Sequence, residues 1–215
     1  MKKRRQKHFL TAFSLLTVFI LWTVLICHVD VQPIGPLGSS VGFAALNRFI
    51  HRFTGVHMLL YTVTDWLGLV PILFALGFAI LGLAQWIKGR SIRKVDGSIL
   101  VLGAFYGVVM AAYVFFEKNV INYRPILIEG VLEASYPSST TMLVLCVMPT
   151  AFMQLRSRIR NSNLRYIISA VITLFTAFMV IGRFLSGVHW FTDIVGGMLL
   201  SAALVALYHA VSNLR

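Results

Sequence analysis

Arg183, His189 and Asp193 stand in the stretch Gly-Arg-Phe-Leu-Ser-Gly-Val-His-Trp-Phe-Thr-Asp, residues 182–193, between two long apolar runs. Ionisable side chains are expensive in such surroundings and are usually functional. If a helix begins near His189, Asp193 lies four residues on, on the same face, where its carboxylate can orient the imidazole. An imidazole held in this way can serve as nucleophile or proton shuttle, and Arg183 on the preceding turn can fork two donors onto a phosphate. Singly, each residue has a blander reading: Arg and His snorkel at a helix boundary, and Asp caps a helix. The three together point to chemistry.

Two earlier stretches add to them. Lys118 is followed by Asn-Val-Ile-Asn-Tyr-Arg124-Pro125. A residue before proline avoids helical geometry, so the chain should turn at Arg124 and can aim it inward. Glu129 and Glu133, at an i, i+4 spacing, read as a solvated face. Tyr136-Pro137-Ser138-Ser139-Thr140-Thr141 then precedes another apolar run. Small hydroxyl residues at a helix start leave backbone N–H groups free at the positive end of the helix dipole, which makes Ser138, Ser139 and Thr140 a candidate anion site. By itself the segment also fits an ordinary helix cap.

The elements that must position these residues are membrane helices. The chain is 58% hydrophobic and 12% charged over 215 residues, far from soluble-domain composition. Uncharged runs at 9–27, 66–87, 97–116 and 137–155 each approach the roughly 17–25 residues that cross a bilayer. The runs 166–187 and 189–211 reach that length only by including Arg183, or His189 and Asp193. The expectation is an all-α, polytopic membrane protein with six transmembrane helices, since barrel strands would alternate.

After the first run, Pro33, Gly35, Pro36 and Gly38 mark an external loop. Phe43, Leu46, Phe49, Ile50 and Phe53 then recur at helical spacing against Asn47, Arg48, His51 and Arg52, as in a helix lying in the membrane interface. His51 and His57 read as interfacial histidines.

A net charge of +12 could suggest nucleic acid, but the placement of the charges argues otherwise. With a cytoplasmic N-terminus, the inner segments carry Lys2, Lys3, Arg4, Arg5 and Lys7, then Lys88, Arg90, Arg93 and Lys94, then Arg156, Arg158, Arg160 and Arg165, and lastly Arg215. These are 14 of the 19 basic residues, as the positive-inside rule requires. Of the seven acids only Asp96 is inside. Both termini are then cytoplasmic, and Lys118, Arg124, Arg183, His189 and Asp193 are extracytoplasmic. A nucleic-acid partner is not expected. The basic N-terminus and apolar run resemble a signal peptide, but the run is of full spanning length and no small-residue cleavage site follows, so a retained first helix is expected. Cys27 and Cys146 fall within expected helices and suggest packing, with no disulfide and no metal site.

Lys118 with Arg124-Pro125, Pro137-Ser138-Ser139, and Arg183 with His189 and Asp193 together resemble the three signatures of the type 2 phosphatidic acid phosphatase (PAP2) superfamily, in its membrane-bound lipid phosphatase branch. The third signature, Arg-x5-His-x3-Asp, is kept in full. The resemblance implies a helical bundle forming one transmembrane domain over 1–215, with motifs within 118–193, and a phosphatase that needs no metal or other cofactor. It implies His189 as nucleophile through a phosphohistidine, Asp193 as its orienting partner, and Lys118, Arg124 and Arg183 as holders of the phosphate. Three departures stand out. Lys118 is one residue closer to Arg-Pro than the pattern, with Glu117 in the usual lysine position. Gly182 replaces the usual Ser before the motif-three arginine. Thr140 replaces the histidine that acts as general acid in Pro-Ser-Gly-His. A threonine hydroxyl does not titrate near working pH.

The expected function is therefore hydrolysis of a lipid phosphate or diphosphate at the extracytoplasmic face, with a diphosphate such as an isoprenoid pyrophosphate preferred because its leaving group needs less protonation. Another acid, such as His51, His57, Glu117 or Glu133, could also reach in. The alternatives are a lipid phosphotransferase and a non-catalytic lipid-phosphate binder. The expected partners are a phosphorylated lipid and the bilayer. The sequence does not determine the oligomeric state.

Overall fold

The computed structural model describes residues 2–212, with side chains from residue 6 onward. Arg215 and the side chains of Lys2, Lys3, Arg4 and Arg5, counted above toward the cytoplasmic charge, lie outside the described residues. The described residues form eight α-helices: α1 Lys2–His28, α2 Ala44–Thr54, α3 Met58–Leu67, α4 Leu69–Gly89, α5 Gly97–Lys118, α6 Ser139–Arg158, α7 Ser162–Leu185 and α8 Phe191–Ser212. This is the all-α, multi-pass architecture that lipid imposes, since a helix satisfies every backbone polar group within its own segment.

Among the described residues, five helical stretches are long and apolar enough to cross a membrane: Gln6–His28, Met58–Gly89, Gly97–Lys118, Ser162–Leu185 and Phe191–Ser212. The second combines α3 and α4 across a break at Gly68. It begins at Met58, eight residues before the expected start at residue 66, and so takes in Asp65. An ion pair from Asp65 to Arg183 of α7, at 3.3 Å, offsets the charge that would otherwise end the span.

The remaining expected span, 137–155, corresponds to α6. At 20 residues it measures about 30 Å, but it is less apolar than the other five. The reason is its place in the bundle. Thr141, Thr150 and Gln154 are buried within the bundle, and the last two find partners on neighbouring helices. Thr150 meets Tyr106 of α5 at 3.2 Å, and Gln154 donates to the Tyr208 hydroxyl of α8 at 2.7 Å.

Contacts order the helices. The N-terminal end of α6 meets that of α8 through Ser138 N–H to the Asp193 carbonyl at 3.0 Å, and Gln154 meets Tyr208 farther along both helices. The two therefore run parallel and start at the same end of the bundle. α1 runs antiparallel to α8, with Trp22 Nε1 on the Thr192 carbonyl at one end and His8 against His209 at the other. Gly196 and Gly197 flatten the first turns of α8. A Cβ on Gly196 would run into the Tyr136 ring, and one on Gly197 would lie 3.0 Å from the Ser138 carbonyl oxygen. This flat face lets the 135–138 segment lie on α8.

α2 is amphipathic as expected, with Phe49 70% and Phe53 86% exposed. Asn47, assigned above to its polar face, is instead fully buried. It donates to the Gly42 carbonyl at 2.8 Å and to Thr192 Oγ1 at 3.0 Å, tying α2 to the start of α8.

Candidate active site

His189 lies on the short turn between α7 and α8, not on α8 itself, whose first residue is Phe191. Gly187 makes the turn possible. Its φ is +68°, and a Cβ there would collide with the Gly55 carbonyl oxygen. His51 Nε2 sits 3.0 Å from the Gly187 carbonyl oxygen, and Trp190 Nε1 donates to the Tyr123 carbonyl at 2.8 Å, so the turn is held from two sides.

The expected geometry of His189 and Asp193 one helical turn apart is therefore corrected. Asp193, fully buried in the first turn of α8, reaches the imidazole through a third residue. Ser135 Oγ donates to Asp193 Oδ2 at 2.6 Å and lies 2.9 Å from His189 Nδ1. The same carboxylate accepts from Trp190 N–H at 2.9 Å and from Asn122 Nδ2 at 3.1 Å. A serine hydroxyl has one hydrogen. With that hydrogen on Asp193, Ser135 must accept from Nδ1–H, which leaves His189 Nε2 bare. Nε2 is buried and has no hydrogen-bond partner among the described residues.

Arg183 comes from the last turn of α7 and is 1% exposed; Arg124 comes from the loop after α5 and is 8% exposed. The Tyr61 ring lies beside both, with its centroid 4.8 Å from the Arg183 guanidinium carbon and 5.8 Å from that of Arg124. Each arginine has one carboxylate neighbour at the rim. Arg183 Nη2 is 3.3 Å from Asp65 Oδ1, and Arg124 Nε is 3.0 Å from Glu133 Oε2, the latter without the alignment of a hydrogen bond. Arg124 Nε and Nη1 and Arg183 Nε are buried donors without hydrogen bonds. A buried unsatisfied polar group costs about 1–3 kcal/mol. Two buried guanidiniums with free donors favour an anion that brings several oxygens. Burial first, then the charges of Arg124 and Arg183, hold His189 well below the ordinary imidazole value.

The second stretch serves this site in a different way from the anion cradle expected of Ser138, Ser139 and Thr140. Ser138 is fully buried, its N–H is spent on the Asp193 carbonyl, and its hydroxyl donates to Thr141 Oγ1 at 3.0 Å. Ser139 and Thr140, half-buried, open α6. Lys118 is not gathered in: it ends α5 exposed, and no hydrogen bond or ion pair to the described residues holds its side chain. Glu117, one position earlier and about 100° around the helix, lines a small crevice with Tyr113, Ser135 and Ser139. Glu133 is also corrected. The segment from 119 to 138 is not helical, so its spacing from Glu129 has no facial meaning, and Glu133 turns to Arg124 while Glu129 stays exposed.

Ser135, Asn122, Tyr61 and Asp65 were not singled out from the sequence. Asp65 carried a usable signal, an acid beside an apolar run. Ser135 adjoins the Tyr136-Pro137 start of the second stretch, whereas Tyr61 and Asn122 have no local mark.

An apolar groove of about 1000 Å³ runs from the site along α4, α5 and α6. Asp65, Ser139 and Thr140 border it at the site end, Ile72, Leu76, Gly103, Tyr106 and Leu143 line its length, and Trp86, Ile92 and Val95 lie at the far end. A Cβ on Gly103 would meet only open space.

A family model described as the PAP2 superfamily matches residues 102–215. Among solved structures the chain is similar to the crystal structure of the first transmembrane PAP2 type phosphatidylglycerolphosphate phosphatase from Bacillus subtilis. The TM-score is 0.67 at 18% identity, covering 94% of this chain and 96% of that one, which is a likeness of fold. No curated protein matches the chain.

Proposed function

Because the chain belongs to the PAP2 superfamily, we propose that it is an integral membrane phosphatase that hydrolyses a lipid phosphate or diphosphate through a phosphohistidine on His189. Family membership supports a phosphatase. The observation that carries the chemistry is that His189 Nε2 is buried without a partner, as are donors of Arg124 and Arg183, two arginines near enough for their charges to act on the imidazole. Nε2 would attack phosphorus while the phosphorus–oxygen bond to the leaving group breaks and that oxygen keeps the electron pair. Water would then attack phosphorus, returning His189 and releasing inorganic phosphate. Phosphoryl transfer depends mainly on positioning and on neutralising equatorial oxygens, and the two guanidiniums are placed for that.

The lipid part of the reading is supported by the groove, which starts at the site and is lined almost wholly by apolar side chains. It suits a hydrocarbon tail lying along α4 and α5 while the head group meets the arginines. A diphosphate is the preferred substrate. Thr140, at the position of the family's general acid, cannot supply a proton, and a phosphate leaving group needs less protonation than an alkoxide. Following the charge distribution, we place the site on the extracytoplasmic face.

The test is phosphate release by purified wild type and His189→Gln from a lipid monophosphate and an isoprenoid pyrophosphate, side by side. Release from the pyrophosphate, absent in His189→Gln, is the expected result. Equal rates on both lipids would reject the diphosphate preference, and release that survives in His189→Gln would reject the phosphohistidine.

A further inference from the structure

We infer that Ser135 is a positioning residue inserted between the carboxylate and the nucleophile, so that Asp193 sets the tautomer of His189 through a hydroxyl and not by direct contact. This rests on the reading of His189 as nucleophile. The three side chains are 3% exposed for Ser135, 4% for His189 and 0% for Asp193. Their bonds, 2.9 Å from Nδ1 to Oγ and 2.6 Å from Oγ to Oδ2, form one continuous line.

The direction of that line is fixed at its far end. Asp193 accepts from Trp190 N–H and the Asn122 amide as well as from Ser135. If Ser135 gave its hydrogen to Nδ1 instead, a carboxylate oxygen and a hydroxyl oxygen would face each other at 2.6 Å with no hydrogen between them. Nδ1–H is therefore the donor, and the lone pair is on Nε2, the nitrogen without a partner. When Nε2 bonds to phosphorus, the imidazole becomes cationic. Nδ1–H then holds its proton against Ser135, whose own hydrogen remains on Asp193. No proton moves along the line; it orients the ring and steadies the charge.

The placement of Ser135 is built in by its neighbours. Its backbone N–H donates to the Asn122 carbonyl at 2.9 Å, and the next residue, Tyr136, packs against Gly196. Asn122 thus holds both ends of the relay, Ser135 by its carbonyl and Asp193 by its amide.

The test is ¹⁵N NMR of histidine-labelled protein in detergent, with the His189 signals assigned by their loss in His189→Gln. Wild type is expected to show Nδ1 protonated and Nε2 bare. In Ser135→Ala the tautomers should mix, with kcat falling by about 10²-fold or more and KM little changed, and Ser135→Thr, which keeps the hydroxyl, should restore the wild-type tautomer. A wild type with Nε2 protonated overturns the inference, and needs no variant to fold. So does an unchanged tautomer in Ser135→Ala, whatever its turnover. A wild type that releases no phosphate would instead defeat the proposed function, while the tautomer would still decide the role of Ser135.

Discussion

Burial and the positive charges of Arg124 and Arg183 hold the imidazole value of His189 down, which favours the neutral form that its proposed role as nucleophile needs. The sign follows directly. A lowered imidazole value leaves the bare Nε2 populated as pH falls through about 6.5, where a free histidine would already be half protonated. The ¹⁵N signals of His189 should therefore stay in their neutral form through that pH. In Arg124→Gln, which removes one opposing charge, protonation should set in at higher pH than in wild type. A wild-type His189 that titrates at the ordinary value would refute this account of its environment. Thr140 supports a second prediction. General acid catalysis contributes roughly 10²–10⁴-fold, so Thr140→His should raise release from a lipid monophosphate by about tenfold or more while changing the diphosphate rate less. Comparison of initial rates on the two lipids checks it.

At the scale of elements, two glycines carry opposite expectations. Gly196 is where α8 lies against Tyr136, and an added methyl has no room. Overpacking of this kind costs typically about 1–3 kcal/mol. Gly196→Ala should lower the thermal midpoint and, by pushing away the segment that carries Ser135 and Ser138, also depress turnover. Gly103 faces the open groove between α4 and α5. Gly103→Trp should leave the fold intact and fill the groove. KM should rise for a long-chain lipid phosphate and hold steady for a short-chain, water-soluble one. If both substrates respond equally, the groove does not hold the tail.

For the whole molecule, the distribution of basic residues is the argument for the proposed orientation. Lys88 is in the last turn of α4, Arg90, Arg93 and Lys94 lie between α4 and α5, and Arg156, Arg158, Arg160 and Arg165 lie around the α6–α7 connection. Both connections are at the end of the bundle away from His189, because α5 and α7 each run from there toward the site. A single cysteine at Glu129 should react with a membrane-impermeant maleimide added to intact cells, and one at Arg90 only after the membrane is opened. The parent for both should lack Cys27, which is exposed on α1; Cys146 is buried. Labelling at Arg90 without opening the membrane would invert the topology.

Much of this was legible in the residues themselves. Apolar runs of spanning length dictated helices, because lipid offers the backbone no other partner, and the cost of charge in such runs singled out Arg183, His189 and Asp193. Pro125 foretold the turn that brings in Arg124. What the sequence could not supply was anything set by side-chain direction between distant segments. The register of α5 leaves Lys118 outside and Glu117 against the crevice, a difference of one residue that only packing resolves. Likewise the start of α8 at Phe191 lifts His189 off the helix and opens the gap that Ser135 fills. Tyr61 reaches the two arginines because α3 packs on α7. Local pattern determines which segments are helices and which residues are costly to bury; three-dimensional contact decides which partners stand between them.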